Sequence, residues 1–209
     1  LLSAGPLVIL AILISVVGIT TPVFLNSANI RNILAQTSVV AIVALGQHLV
    51  ILTRGIDLSV GANLALATVI GGLLFRIVDS SAAIIAGMLA TGLVVGFVNG
   101  AVYVFGRLPH PFIITLATLS ICRGIAYTIA ANHTTMRGMP DFVAGIGGGD
   151  TLGVPNPFIV VVICAGLVLL MSKSMVWGRW IYAVGGAPEA AVEMGIPVKW
   201  VLVSTYVIG

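Results

Sequence analysis

Ser80-Ser81-Ala82-Ala83-Ile84-Ile85-Ala86-Gly87-Met88-Leu89-Ala90-Thr91-Gly92-Leu93-Val94-Val95-Gly96-Phe97-Val98-Asn99-Gly100-Ala101-Val102-Tyr103-Val104-Phe105-Gly106 contains no charged side chain. About 20 apolar residues are enough for a helix to cross the hydrocarbon of a bilayer, so this run is long enough to span. Similar uncharged runs occupy 1–30, 32–53, 58–75 and 151–172. A further run, 111–131, is interrupted only by Arg123. The pattern predicts an all-α, polytopic transmembrane helix bundle with about six full spans. A seventh begins around Lys199 and Trp200 and stops at Gly209, too short to cross. On this reading 1–209 is one transmembrane domain, a fragment of a longer chain.

Composition supports lipid as the solvent. Of the 209 residues, 59% are apolar and 7% are charged, and the mean hydropathy is +1.21. Soluble domains carry roughly 25% charged residues. The nine Lys and Arg residues are scattered singly, which argues against a nucleic-acid surface. Cys122 and Cys164 sit in different apolar runs and suggest neither a disulfide framework nor a metal site. The first run is longer than a signal-peptide core and has no charged start, so it is read as a span.

Alternating spans sort the connections into two sets. One set (54–57, 106–110 and 173–199) holds Arg54, Arg107, Lys173, Arg179 and Lys199; the other holds Arg31, Arg76 and Arg137. The positive-inside rule then places the first set in the cytoplasm and the Gly-rich stretch 132–156 outside. Trp177, Trp180, Tyr182, Trp200 and Tyr206 surround the 173–199 connection, where amphipathic rings suit a membrane interface. Gly92, Gly96 and Gly100 recur every fourth residue, predicting one helix face against which another backbone packs.

Three segments carry the chemistry. In Thr53-Arg54-Gly55-Ile56-Asp57-Leu58-Ser59-Val60-Gly61 a carboxylate flanked by glycines interrupts the apolar pattern, and Asp57 or Ser59 is expected to cap a helix that restarts there. The same break could be a plain inter-helix turn or a polar station in a transport path. In the second, Pro111 opens a helix on which Thr115 and Thr118 share a face, with Arg123 expected to snorkel outward. The third is Gly185-Gly186-Ala187-Pro188-Glu189-Ala190-Ala191-Val192-Glu193-Met194-Gly195-Ile196-Pro197, where Pro188 and Glu189 open and Gly195 and Pro197 close a helix of about two turns. So short a helix needs a docking surface, either a cytoplasmic partner or the lipid interface.

Taken together, Gly55-Ile56-Asp57-Leu58-Ser59-Val60-Gly61, Pro111 through Thr118 with Arg123-Gly124, and Tyr182-Ala183-Val184-Gly185-Gly186 with Ala190-Ala191 and Gly195-Ile196 resemble the ribose-type permease of bacterial ABC sugar importers. The resemblance covers essentially the whole chain. It implies a multi-pass protein of the bacterial inner membrane, with about ten spans in a full permease. It also implies a second permease subunit, a cytoplasmic ATPase and an external sugar-binding protein, the last contacted by the Gly-rich outer stretch. Residues Ala187, Pro188, Glu189, Ala190, Ala191, Glu193, Met194 and Gly195 would then form the coupling helix that inserts into the ATPase. Two positions depart from the family pattern: Arg54 stands where glycine is usual, and Ala187 where asparagine is common, so Gly186 is expected to act as the cap. No phosphate-cradling G-x-x-x-x-G-K-[ST] occurs, so ATP and Mg are assigned to the partner ATPase and no cofactor, metal or catalytic residue to this chain.

The expected function is therefore translocation of a monosaccharide, with Gln47, His48, Asp57, Ser59, Asn63, Asn99, Thr115 and Thr118 as path candidates, each of which could instead be an inter-helix hydrogen bond. The alternatives are an ion-coupled secondary transporter titrating Asp57, or the same importer class carrying an autoinducer-like furanose or a branched-chain amino acid.

Overall fold

A computed structural model describes residues 5–132 and 139–209. Among the described residues ten helices follow in order: α1 (Gly5–Thr20), α2 (Ser27–Leu52), α3 (Val60–Phe75), α4 (Ser81–Phe105), α5 (Phe112–Asn132), α6 (Asp141–Gly148), α7 (Asn156–Ser174), α8 (Val176–Gly186), α9 (Pro188–Glu193) and α10 (Val198–Ile208). A two-stranded ribbon, β1 (Asp150–Thr151) with β2 (Val154–Pro155), separates α6 from α7. Four helices, α2, α4, α5 and α7, are long and apolar enough to cross a membrane, and their outward sides are apolar. The chain is an all-α membrane protein. α1 and α3, at 16 residues each, fall short of a full crossing by length, and α10 has 11.

Local chemistry sets the helix boundaries. Asn26 caps α2 by accepting the Ala28 N–H at 2.9 Å, and Ser80 accepts the Ala83 N–H at the start of α4. Hydroxyls that would otherwise face lipid bond back to their own helix, as Thr37 does to Ile33 O at 2.6 Å and Thr128 to Gly124 O at 2.9 Å. Thr151, expected to begin a span, instead lies in the ribbon. The turn there uses two residues with positive φ, Leu152 at 54° and Gly153 at 81°, as a two-residue hairpin turn requires. Asn156 anchors the ribbon through Gly145 O at 2.8 Å and the Thr151 hydroxyl at 2.7 Å. His133 and Arg137 lie outside the described residues.

Members of the two expected sets of connections lie at opposite ends of α2. Arg54, His110 and Pro111 line a common cleft at one end, and Arg31, Gly149 and Asp150 line another at the far end of α2. The core joining them is built on close helix approach. A Cβ on Gly100 would stand 2.8 Å from Val203 Cα, and one on Gly96 would meet the Tyr206 carbonyl, so α10 is seated in the glycine face of α4. Gly92 takes no part, since nothing lies within 4 Å of a Cβ there.

Candidate translocation site

The turn after α2 places the site. Gly55 N–H donates to Val50 O at 2.9 Å, ending α2, and the chain then turns back beside its own last helical turns. Gln47, five residues before the end of α2, donates from Nε2 to Asp57 O at 3.0 Å. Residues 55–59 are therefore non-helical backbone level with the last turns of α2, and α3 begins only at Val60. Non-helical backbone at membrane depth is tolerated only where protein satisfies its polar groups. Here Gln47 supplies one partner and the Asp57 carboxyl another, accepting the Ser59 N–H at 2.7 Å. Ser59 sits at the N-cap position without making a side-chain cap bond, because its hydroxyl is turned back to Asp57 Oδ1 at 2.6 Å. Asp57 instead closes a side-chain turn over Ser59, and α3 starts without a side-chain cap bond. Glycine is required at 55, where a Cβ would lie 2.6 Å from the Tyr206 hydroxyl.

A directed relay ties this break to two further helices. Thr118 Oγ1 of α5 donates to Asn99 Oδ1 of α4 at 2.7 Å; Asn99 Nδ2 donates to Ser59 Oγ at 2.8 Å and more weakly to Asp57 Oδ2 at 3.4 Å. Asp57, Ser59, Asn99 and Thr118 are all buried. Each donor meets an acceptor, which is what makes a buried polar cluster tolerable in a low-dielectric interior.

Among the expected path residues, Gln47, Asp57, Ser59, Asn99 and Thr118 are thus brought together. Thr115 is buried but bonds within its own helix, to Phe112 O at 3.3 Å. His48 is exposed on the neighbouring face of α2. Asn63 is half-buried, and its Oδ1 has no hydrogen-bond partner among the described residues. It lines a cavity of about 460 Å³ together with Asp57, Gly92 and Tyr206, against apolar Met88 and Leu93.

Tyr206 corrects an expectation. Read as an interfacial ring, it is 2% exposed, packed edge-on to Tyr103 with ring centroids 6.1 Å apart. Its hydroxyl approaches the Ile56 main chain without reaching hydrogen-bond geometry and remains unpartnered among the described residues. The glycine face of α4 was the available signal that some helix packs there, but it did not say which. Trp200 and Tyr182 are exposed, as expected of interfacial rings, while Trp177 Nε1 donates to Ser204 Oγ at 2.7 Å. Arg123 is exposed on α5, beside a groove of about 300 Å³ lined by Ala62, Ala65 and Tyr127.

The family described as branched-chain amino acid transport system / permease component matches residues 29–209. The chain belongs to this permease family. It is 36% identical over 206 residues to the D-allose transport system permease protein AlsC of Escherichia coli, covering 98% of this chain and 63% of that protein. The ribose import permease protein RbsC of Bacillus subtilis is 39% identical over 204 residues, 97% of this chain and 63% of the relative. The fructose import permease protein FrcC of Rhizobium meliloti is 34% identical, with 98% and 59% covered. The chain spans less than two thirds of the length of these relatives. No solved structure matches it.

In this permease chain the second candidate region, around α9, lies at the same end as Arg54. α8 runs through Gly186, so Gly186 does not cap α9; Ala187 holds that position without a side-chain bond. Pro188 opens the helix, and Gly195, at φ 75°, closes it with Gly195 N–H on Val192 O and Ile196 N–H on Ala191 O. The docking surface that so short a helix requires is supplied in part by the chain itself. Ala191 is fully buried in a cluster with Leu49, Ile181, Val184 and Val201, drawn from α2, α8 and α10. The remaining faces are open: Val192 is 61% and Met194 67% exposed, with Glu189 and Glu193 beside them.

Proposed function

We propose that this chain forms the membrane-crossing part of the permease subunit of a binding-protein-dependent ABC importer for a monosaccharide. The observation that carries the reading is the family membership together with relatives named for D-allose, ribose and fructose, each aligned over nearly the whole of this chain. The sugars in those names, more than the family's branched-chain amino acid description, favour a monosaccharide. Six crossings fit if residues 55–59 complete the passage of α3 and α1 extends to its full run.

Transport is alternating access in a pair of permease subunits. The cavity beside Asp57 and Asn63 offers acceptors to the hydroxyls of a passing sugar, and the relay through Ser59, Asn99 and Thr118 holds Asp57 in place for that task. On the cytoplasmic side, α9 is the coupling element, with Glu189, Val192, Glu193 and Met194 facing an ATPase that carries ATP and Mg. The opposite end, including the ribbon at 150–155, faces the external sugar-binding protein. Thr115 then serves helix packing and His48 stands beside the path.

The test is uptake of labelled sugar by liposomes containing the full permease, its ATPase and its binding protein. Val192→Asp combined with Met194→Asp abolishes ATP-dependent uptake while the permease still inserts and unfolds at its usual temperature. Uptake that persists without ATP and follows the membrane potential would instead identify an ion-coupled carrier.

A further inference from the structure

Arg54 occupies an unusual place for a side chain of its size. Its φ is 61°, in the left-handed region that favours glycine, at the turn where α2 closes, with its N–H on Ile51 O at 2.9 Å. The guanidinium is turned toward the end of α8. Nε donates to Gly185 O at 2.7 Å and Nη2 donates to Gly186 O at 2.7 Å. These are terminal carbonyls of α8, without intrahelical donors and at the negative end of the helix dipole. A planar fork of adjacent N–H groups can hold two neighbouring carbonyls in one orientation, which a lysine ammonium cannot do.

The backbones beneath the fork are in contact as well: a Cβ on Gly185 would run into the Leu52 carbonyl. Pro188, the first residue of α9, lies two residues beyond Gly186. Asp57 lies three residues beyond Arg54, on the segment held by Gln47, Ser59 and Asn99. One side chain therefore bridges the root of α9 and the root of the buried relay, across a separation of more than a hundred residues in sequence.

We propose that Arg54 is a positioning residue that couples α9 to the polar break: a shift of α9 is passed by the guanidinium to residues 55–59, and through them to Asp57. The transport consequence rests on the coupling role proposed above for α9; the mechanical link itself does not. Removing the fork leaves α2 and α8 packed through Leu49, Ile181 and Val184 but takes away the polar tie between them.

Two measurements on the full permease assembled with its ATPase test this. Nitroxide labels at Ile51 and Ala190, both exposed, report the distance between α2 and α9 once Cys122, Cys164 and any further thiols of the full permease are replaced by Ala. The distance distribution is narrow with Arg54 present, broadens with Arg54→Ala, and is intermediate with Arg54→Lys. In liposomes, Arg54→Ala keeps ATP hydrolysis but lowers sugar moved per ATP by roughly five-fold or more, the lower end of coupling between linked sites. An unchanged distribution would overturn the link. A broadened distribution with an unchanged transport ratio would overturn its role in coupling. If the unsubstituted complex shows no ATP-dependent uptake, the importer reading fails, while the label distances still decide whether Arg54 holds α9.

Discussion

Two of the helix breaks at one end of the bundle, 53–59 and 187–197, are finished in opposite ways. The first lies beside α2 at the level of Gln47, and its polar groups are met by the buried side chains of Asp57, Ser59 and Asn99 and by half-buried Gln47. The second is closed by its own main chain, through Met194 N–H on Ala190 O, Gly195 N–H on Val192 O and Ile196 N–H on Ala191 O. Burial explains the difference. Where water reaches, a short helix can leave its side chains free for another protein to grip. Where water does not, side chains are consumed in satisfying backbone, and the residue types become restrictive.

The deep break depends on α10 remaining seated in α4, so the largest expected effect comes from filling that seat. Gly96→Leu drives a side chain against the Tyr206 carbonyl and destabilises the permease by about 3 kcal/mol, read as a loss of thermal stability in mild detergent. Asn99→Leu is next. It leaves the Thr118 hydroxyl, the Ser59 hydroxyl and Asp57 Oδ2 without their amide partner and costs about 2 kcal/mol by the same measurement. The shallow break responds less. Gly195→Ala puts a side chain at φ 75° and costs about 1 kcal/mol, seen as faster amide exchange confined to residues near α9. Smallest on stability is Val192→Ala, within about 0.5 kcal/mol of the parent. Its effect is instead on ATP-dependent uptake, which falls. A stability loss at Val192 matching that at Asn99 would erase the distinction between the two breaks.

Much of this was legible in the residues. Long runs with almost no charge marked α2, α4, α5 and α7, because a lipid-facing helix carries charge rarely, here at Arg31, Arg123 and Lys173. Asp57 between glycines announced a break, and Pro188 with Gly195 bracketed α9 to within a residue or two. Pairings were harder to read. In a soluble helix the polar side shows which face is inside, but here lipid and interior are equally apolar, so periodicity says little about neighbours. For that reason Tyr206 looked interfacial although α10 is drawn into the glycine face of α4. The helical character of α8 was hidden by its aromatic residues, which suit an interface whether helical or not. The short length of α3 followed from residues 55–59 lying beside α2, and that depends on Gln47 reaching Asp57 from ten residues away. His48 illustrates the same limit: one position from Gln47, it falls on the neighbouring, exposed face of the helix.

None of the described residues of α1 is buried, and its one crowded glycine, Gly18, meets Leu25 of the adjoining linker rather than another helix. Among the described residues, no other helix buries a side chain of that first rod. The cluster around Asp57 draws nothing from it, so cutting the link within 21–26 should leave that cluster in shape.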